Sequence, residues 1–266
     1  IQRFERMTLE ELYDYRLNYI IASGEKPDEF PHDPVVIKYL TDLMMSRPTQ
    51  NCSKKEAKEA EKIANQALAD APAMVNNALK AITLLLSRWI ENKSDLIAGK
   101  SVFTGEVACA FRSNLNISET NANWGVTAIN VERRLMSLQK RLLKAVSFVC
   151  EPINSKVCLE SKGRDAEAYV VNHTGPIHLC YGFRDSSIYS FQVSTIIHEM
   201  LHFLPGLGDN GGYAAFSTSA MTCKPGLQFS AAPDVLDNTA DAITGFIMHI
   251  ENTSATDLQV SLSKKP

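Results

Sequence analysis

Near the C-terminal end of the chain, His198, Glu199 and His202 form the pattern H-E-x-x-H inside a largely apolar segment. Four residues advance an α-helix by slightly more than one turn, so both histidines project from one face of a predicted helix. This arrangement suits two imidazole ligands of one metal ion, with Glu199 beside the metal rather than bound to it. A carboxylate in that position takes a proton from water that a metal has acidified. The pattern therefore predicts a catalytic metal centre.

The residues around this pattern argue against a chance match. The segment is apolar on nearly every side, which is typical of a buried helix; its apolar members are Ile196, Ile197, Met200, Leu201, Phe203 and Leu204. Buried histidines and carboxylates are costly without partners, and a metal ion supplies one. Pro205-Gly206 ends the predicted helix, and Asp209 follows within the same loop.

The composition of the 266-residue chain excludes several classes of partner. A 45% hydrophobic and 21% charged content is ordinary for a globular protein with a proper core. A net charge of −3 gives no electrostatic reason to expect nucleic acid or an anionic membrane. No apolar run is long enough to span a bilayer. We also expect the protein to be a monomer. The basic residues Arg133, Arg134, Lys140 and Arg141 are predicted to lie on a solvated helix face, because no aromatic residues interleave with them.

The six cysteines favour an oxidising compartment. An even number without a C-x-x-C pair fits three disulfides better than a zinc ribbon or a redox motif. Cys150 and Cys158 flank a turn-like segment, which predicts a local bridge between them. Five N-x-[ST] patterns point the same way, and we expect a secreted protein.

The order of the predicted elements is typical of an α+β fold. Residues 1–50 are predicted to form a helical N-terminal extension, and residues 51–266 one larger domain. Within that domain, a capping box at Ser53 and Glu56 opens a helix that Pro72 is expected to interrupt before a second helix. Residues 99–125 are expected to be loops with one short strand, followed by a helix over 131–147.

Strand signals follow this helix and precede the H-E-x-x-H segment. They cover Val146–Cys150, Lys156–Leu159, Ala166–Val171 and Ile177–Cys180. Asp185, Ser186 and Ser187 then supply N-cap residues for the metal-binding helix.

The third metal ligand has two candidates. A catalytic zinc usually takes three protein ligands and leaves a fourth position to water. No third histidine follows His202 at the spacing that metzincins use. A glutamate from a later helix, as in gluzincins, leaves only Glu251, whereas an aspartate from the next loop, as in aspzincins, points to Asp209.

The segment after the two histidines resembles the deuterolysin and peptidyl-Lys metalloendopeptidase family, in which G-T-x-D-x-x-Y follows H-E-x-x-H. The matching residues are Gly206-Leu207-Gly208-Asp209 and Tyr213; Leu207 replaces the usual Thr, and Tyr213 lies one residue further along. Thr239-Ala240-Asp241, with Phe246 beyond, is similar to the family's N-A-D-x-Y-x-x-F segment. The resemblance covers about Cys52 to Met248, and residues 1–50 fall outside it.

This resemblance implies a zincin-like domain with one Zn²⁺ held by His198, His202 and Asp209. It further implies that Glu199 is the general base and that the Tyr213 hydroxyl stabilises the oxyanion. Asp241 would lie in the pocket for the residue after the scissile bond. Thr244 stands where Lys-specific members carry a second acid, so we expect a basic preference rather than strict Lys specificity.

Three functions remain open at this point. The first is a secreted zinc endopeptidase of the aspzincin type acting on protein or peptide substrates. The second is a secreted effector or binding protein built on the same scaffold. The third is a zinc amidase that cuts a non-protein amide.

Overall fold

The computed structural model describes residues 4–25, 34–160, 167–186, 188–209, 236–253 and 261–264. Among these residues the chain is a mixed α+β protein with nine α-helices. The helices are α1 Leu9–Glu25, α2 Pro34–Met45, α3 Lys54–Ile97, α4 Glu106–Leu115, α5 Trp124–Leu142, α6 Lys156–Glu160, α7 Tyr181–Asp185, α8 Tyr189–Leu201 and α9 Ala240–Glu251. A short 3-10 helix, Phe4–Arg6, precedes them.

The described part of the chain also contains five strands in two small sheets: β1 Ser101–Thr104, β2 Phe148–Cys150, β3 Ala168–Val171, β4 Thr174–Leu179 and β5 Ser261–Lys264. β4 lies between the other two strands of the three-stranded sheet, parallel to β2 and antiparallel to β3. β1 pairs with β5 antiparallel. The small mixed sheet confirms the predicted α+β class.

The chain forms two compact units, residues 1–66 with 146–195 and residues 67–145 with 196–266. These limits differ from the predicted boundary at residue 50, because α1 and α2 share a core with the segment around α6. That core contains Leu9, Leu12, Tyr13, Leu40, Met44, Ile153 and Leu159. That residues 51–266 act as one functional domain remains a prediction.

The second unit is built around aromatic side chains and α9. Trp124 stacks on Trp89 with ring centroids 5.5 Å apart, and Phe111 lies 5.1 Å from Trp124 and 6.0 Å from Phe246. Gly125 permits the close approach of α3, since a Cβ there would lie 2.7 Å from the Trp89 ring. Every residue of α9 from Ala240 to Ile250 is buried, so its first turn is held firmly.

Three predicted elements differ from the structure. Residues 99–125, predicted to be loops with one short strand, contain helix α4 after β1. The capping box is confirmed, as Ser53 N donates to Glu56 Oε2 and Glu56 N donates to Ser53 Oγ. Pro72, however, does not interrupt the helix, and α3 runs unbroken through it. A helix-interior proline costs about 3 kcal/mol, but the buried residues Ala67, Ala71 and Val75 pack on either side of it. The predicted strand Lys156–Leu159 is also wrong, since this segment forms helix α6. The prediction failed because a short apolar run does not by itself distinguish a helix from a strand.

The predicted Cys150–Cys158 bridge is also wrong. The described bridges join Cys52 to Cys150 and Cys158 to Cys180, and Cys109 is disulfide-bonded as well. The residues between Cys150 and Cys158 form a turn and then α6 rather than a hairpin, so these two cysteines do not face each other. Cys223 lies outside the described residues.

Candidate metal centre

The last turn of α8 and the residues after it bring both motif histidines to one point. His198 and Glu199 lie in α8, and His202 follows its last residue, Leu201. Nε2 of His202 lies 3.0 Å from Nε2 of His198. Burial of Ile196, Ile197, Met200 and Leu201 fixes the rotation of this helix end. At its other end, Ser186 Oγ accepts a hydrogen bond from Ile188 N, close to the predicted cap.

Asp209 completes a group of three candidate ligands. Its Oδ1 lies 3.3 Å from Nε2 of His198 and 3.1 Å from Nε2 of His202. Three ligands placed tetrahedrally about 2.0–2.1 Å from a zinc ion would lie roughly 3.3 Å from one another. The three atoms of this group therefore have the spacing of a metal site, and His198, His202 and Asp209 can hold a metal ion.

The loop carrying Asp209 is fixed by pairing with the segment before α9. Gly206 adopts a φ of 74°, which turns the chain directly after Pro205. Gly208 N donates to Asn238 O at 3.3 Å, and Ala240 N donates to Gly208 O at 3.0 Å. This short parallel pairing places Asp209 beside the beginning of α9, where Asp241 lies.

Asp241 contacts the far nitrogen of the first histidine. Its Oδ1 lies 3.1 Å from Nδ1 of His198, and the residue is 3% exposed. A carboxylate on the second ring nitrogen fixes the tautomer of a metal-binding histidine and orients its ring. Such a contact favours a role in orienting His198. The predicted role of Asp241 in a substrate pocket stays a prediction.

Glu199 lies beside the three ligands without joining them. It is 4% exposed, and its Oε2 has no hydrogen-bond partner among the described residues. Burial raises the pKa of Glu199, while the neighbouring His198 and His202 oppose that rise. This oxygen is therefore available to accept a proton, as a general base must be.

The charges of the group are mutually compensating. Burial alone would lower the pKa of His198, but hydrogen bonds to Asp209 and Asp241 outweigh it and raise the pKa well above its ordinary value. Burial alone would raise the pKa of Asp209, but hydrogen bonds to His198 and His202 hold it well below its usual range. A bound divalent cation would replace the proton of His198 as the positive charge that offsets the carboxylates.

The described group does not include the second candidate for the third ligand. Glu251, the second candidate for the third ligand, is exposed and accepts a hydrogen bond from Asn77 Nδ2 at 3.3 Å. Tyr213 lies outside the described residues, so its role in oxyanion stabilisation stays a prediction. A second cluster, Glu106, Cys109 and His249, has metal-ligand spacing, but its cysteine is disulfide-bonded and cannot act as a thiolate.

Sequence reasoning missed one set of residues near the site. Arg134 was predicted to lie on a solvated face, yet its Nη1 donates to Pro205 O at 2.8 Å and its Nη2 to Asn238 Oδ1 at 2.5 Å. Nothing in the local sequence distinguishes Arg134 from Arg133, because both lie on the same polar stretch of α5. Only the fold brings the loop of Asp209 to one of them.

No protein-family model, curated protein or solved structure matches the chain. Among the described residues, no helix combines the length and apolar character needed to cross a bilayer.

Proposed function

We propose that this protein is a secreted zinc endopeptidase of the aspzincin type with a zincin-like active-site domain. One observation carries the proposal: two imidazole nitrogens and one carboxylate oxygen converge at 3.0–3.3 Å beside a buried carboxylate that has an unpaired oxygen. Two histidines and one acid leave a coordination position open, which separates catalytic from structural zinc sites. The two described disulfides are consistent with secretion.

The protein's residues divide the work as follows. His198, His202 and Asp209 would hold the zinc ion, which when bound supplies Lewis acidity for a carbonyl and for water. Asp241 Oδ1 keeps a proton on Nδ1 of His198, so that Nε2 is free to bind. Glu199 Oε2 accepts a proton from the attacking water and then returns one to the departing amine.

A peptide cleavage map tests this proposal. The purified parent protein and a Glu199→Gln variant, each loaded with Zn²⁺, are incubated with a diverse peptide mixture and analysed by mass spectrometry. We expect cuts from the parent only, lost with a chelator and enriched for Lys or Arg after the cut. Glu199→Gln should keep its zinc, because Glu199 is not a ligand.

The same experiment separates the alternatives. Cuts without enrichment for basic residues would remove the proposed preference but keep the peptidase. No cuts from a folded, zinc-loaded parent would overturn the endopeptidase, and a cell-wall amide assay would then test the amidase.

A further inference from the structure

Two polar side chains of α5 contact the two segments that carry Asp209 and Asp241. Asn130 Nδ2 donates to Asp237 Oδ2 at 2.8 Å, and Arg134 donates to Pro205 O and Asn238 Oδ1. Residues four apart on a helix lie on one face, so Asn130 and Arg134 act on the same side of α5. We refer to these two side chains, with their partners Pro205, Asp237 and Asn238, as the loop clamp.

The chemistry of arginine suits this position. Its planar guanidinium carries five donors in a fixed fork, so one side chain can hold two acceptors on different segments. Here one fork nitrogen binds the backbone of residue 205 and the other binds the side chain of residue 238. A lysine ammonium is a compact charge without this fixed geometry and would not reproduce both contacts equally.

The loop clamp holds the loop that carries Asp209, the candidate third ligand. Pro205 begins the loop that carries Asp209, and Asn238 O accepts the hydrogen bond from Gly208 N. Asn238 Nδ2 also donates to Asp237 Oδ1 at 2.7 Å, which links both halves of the clamp. Without Arg134, Pro205 would lose the hydrogen bond that holds the beginning of the loop. Asn238, whose backbone oxygen pairs with Gly208, would lose the hydrogen bond that holds its side chain. A loop without these contacts would have to be ordered when the metal binds, which costs conformational entropy. In the parent, the loop clamp orders the loop before the metal binds, so metal binding does not carry this cost.

From these contacts we infer that Arg134 is a positioning residue that holds the loop of Asp209 in its metal-binding place. The inference rests on the proposed metal function and adds to it a residue that contacts neither metal nor substrate. The Oδ1 of Asp209 stands near both imidazole nitrogens because its loop is fixed on both sides. Arg133 is the matched control, because its side chain is exposed on the same helix.

The test compares Arg134→Met with Arg133→Met and with the conservative Arg134→Lys. Zn²⁺ affinity is measured by competition with a chromogenic chelator, and the Co²⁺-loaded forms are compared by visible absorption, which reports ligand geometry. Loss of a partner hydrogen-bonded directly to a metal ligand typically weakens metal binding about 10–100-fold, and Arg134 acts through the loop, so the lower end, about tenfold, applies. We expect a loss of that size and an altered Co²⁺ spectrum for Arg134→Met, a smaller loss for Arg134→Lys, and parental behaviour for Arg133→Met.

Thermal unfolding of the metal-free forms separates positioning from general destabilisation. The clamp predicts that Arg134→Met unfolds near the parent's temperature without metal but gains less from added Zn²⁺. If Arg134→Met does not fold, Asn238→Ala takes its place, because it removes the acceptor of the hydrogen bond from Arg134 Nη2. Parental Zn²⁺ affinity and Co²⁺ spectrum in folded Arg134→Met, or an equal loss in Arg133→Met, would overturn the inference.

The parent protein keeps this test distinct from that of the proposed function. A parent that binds Zn²⁺ tightly but cuts no peptide would overturn the endopeptidase and leave the clamp standing. If the parent cuts peptides and Arg134→Met binds Zn²⁺ as tightly as the parent does, only the inference about the clamp would be overturned.

Discussion

Asp241 Oδ1 lies 3.1 Å from Nδ1 of His198, while Nε2 of the same ring lies 3.3 Å from Asp209. The imidazole is therefore held by carboxylates at both nitrogens. One of these carboxylates would share a metal with it, and the other fixes its tautomer.

Asp241→Asn should weaken Zn²⁺ binding by about 10–100-fold, because an amide no longer fixes the proton on Nδ1 of His198. Chelator competition measures the affinity. Asp95→Asn, which alters an exposed acid paired with Lys100, is the control and should bind Zn²⁺ like the parent. Parental affinity in Asp241→Asn would show that the contact does not tune the histidine.

Asp209→Ala and Glu251→Ala distinguish the two candidate third ligands. We expect Asp209→Ala to lose Zn²⁺ affinity and peptidase activity together, because it removes one of three converging ligand atoms. Glu251→Ala should keep both, since its carboxylate is exposed and binds Asn77. Metal content and cleavage rate are measured on the same preparations. The reverse outcome would place the third ligand on α9 and reject the aspzincin class.

Glu167 should make the first compact unit less stable as the pH rises. Burial and then the nearby Asp185 raise the pKa of Glu167 from 4.5 to about 7. A raised carboxyl pKa in the folded state gives stability that is fully present below the unfolded value and lost as the pH rises through the folded value. The loss is at most about 3 kcal/mol between these limits.

Urea unfolding of the parent and of Glu167→Gln at about pH 5 and about pH 8 measures this effect. We expect the parent to be less stable at the higher pH and Glu167→Gln to show a smaller decrease. Glu59→Gln, which changes an exposed glutamate of the same unit, should keep the parental pH dependence. An unchanged pH dependence in Glu167→Gln would reject the assignment.

Gly125→Ala should destabilise the second compact unit. The added Cβ would lie 2.7 Å from two atoms of the Trp89 ring, so the ring or the helix must shift. Overpacking of this kind costs about 1–3 kcal/mol, which a lowered unfolding temperature would report. Ser137→Ala, an exposed change on the same helix, should not lower it. Parental stability in Gly125→Ala would mean that Trp89 can move aside freely.

The sequence predicted those parts of the site that lie within one helical turn or one loop. His198, Glu199 and His202 lie within about one helical turn, so their spacing suggested a common metal site. Spacing left both Asp209 and Glu251 as candidates for the third ligand, and the resemblance favoured Asp209. The contact of Asp241 with His198 and the clamp by Arg134 join distant segments, and no local pattern encodes them. Their positions follow from the burial of α9 and from the pairing of Gly208 with Thr239.

The fold shows the same division between local and distant effects. The capping box of α3 was predictable because both partners lie three residues apart. Helix α4 was not predicted: Gly105 before it provides no side-chain cap, and the segment lacks a polar face because eight of its residues are buried. Tertiary packing, not local propensity, makes that segment helical. The pairing of Cys52 with Cys150 likewise depends on the fold, not on spacing.

Anomalous X-ray diffraction from crystals grown with Zn²⁺, recorded on both sides of the zinc absorption edge, tests the metal assignment most directly. We expect one strong peak about 2.0–2.2 Å from Nε2 of His198, Nε2 of His202 and a carboxylate oxygen of Asp209. A peak at Glu106 and His249 alone, or none between the two motif histidines, would contradict it.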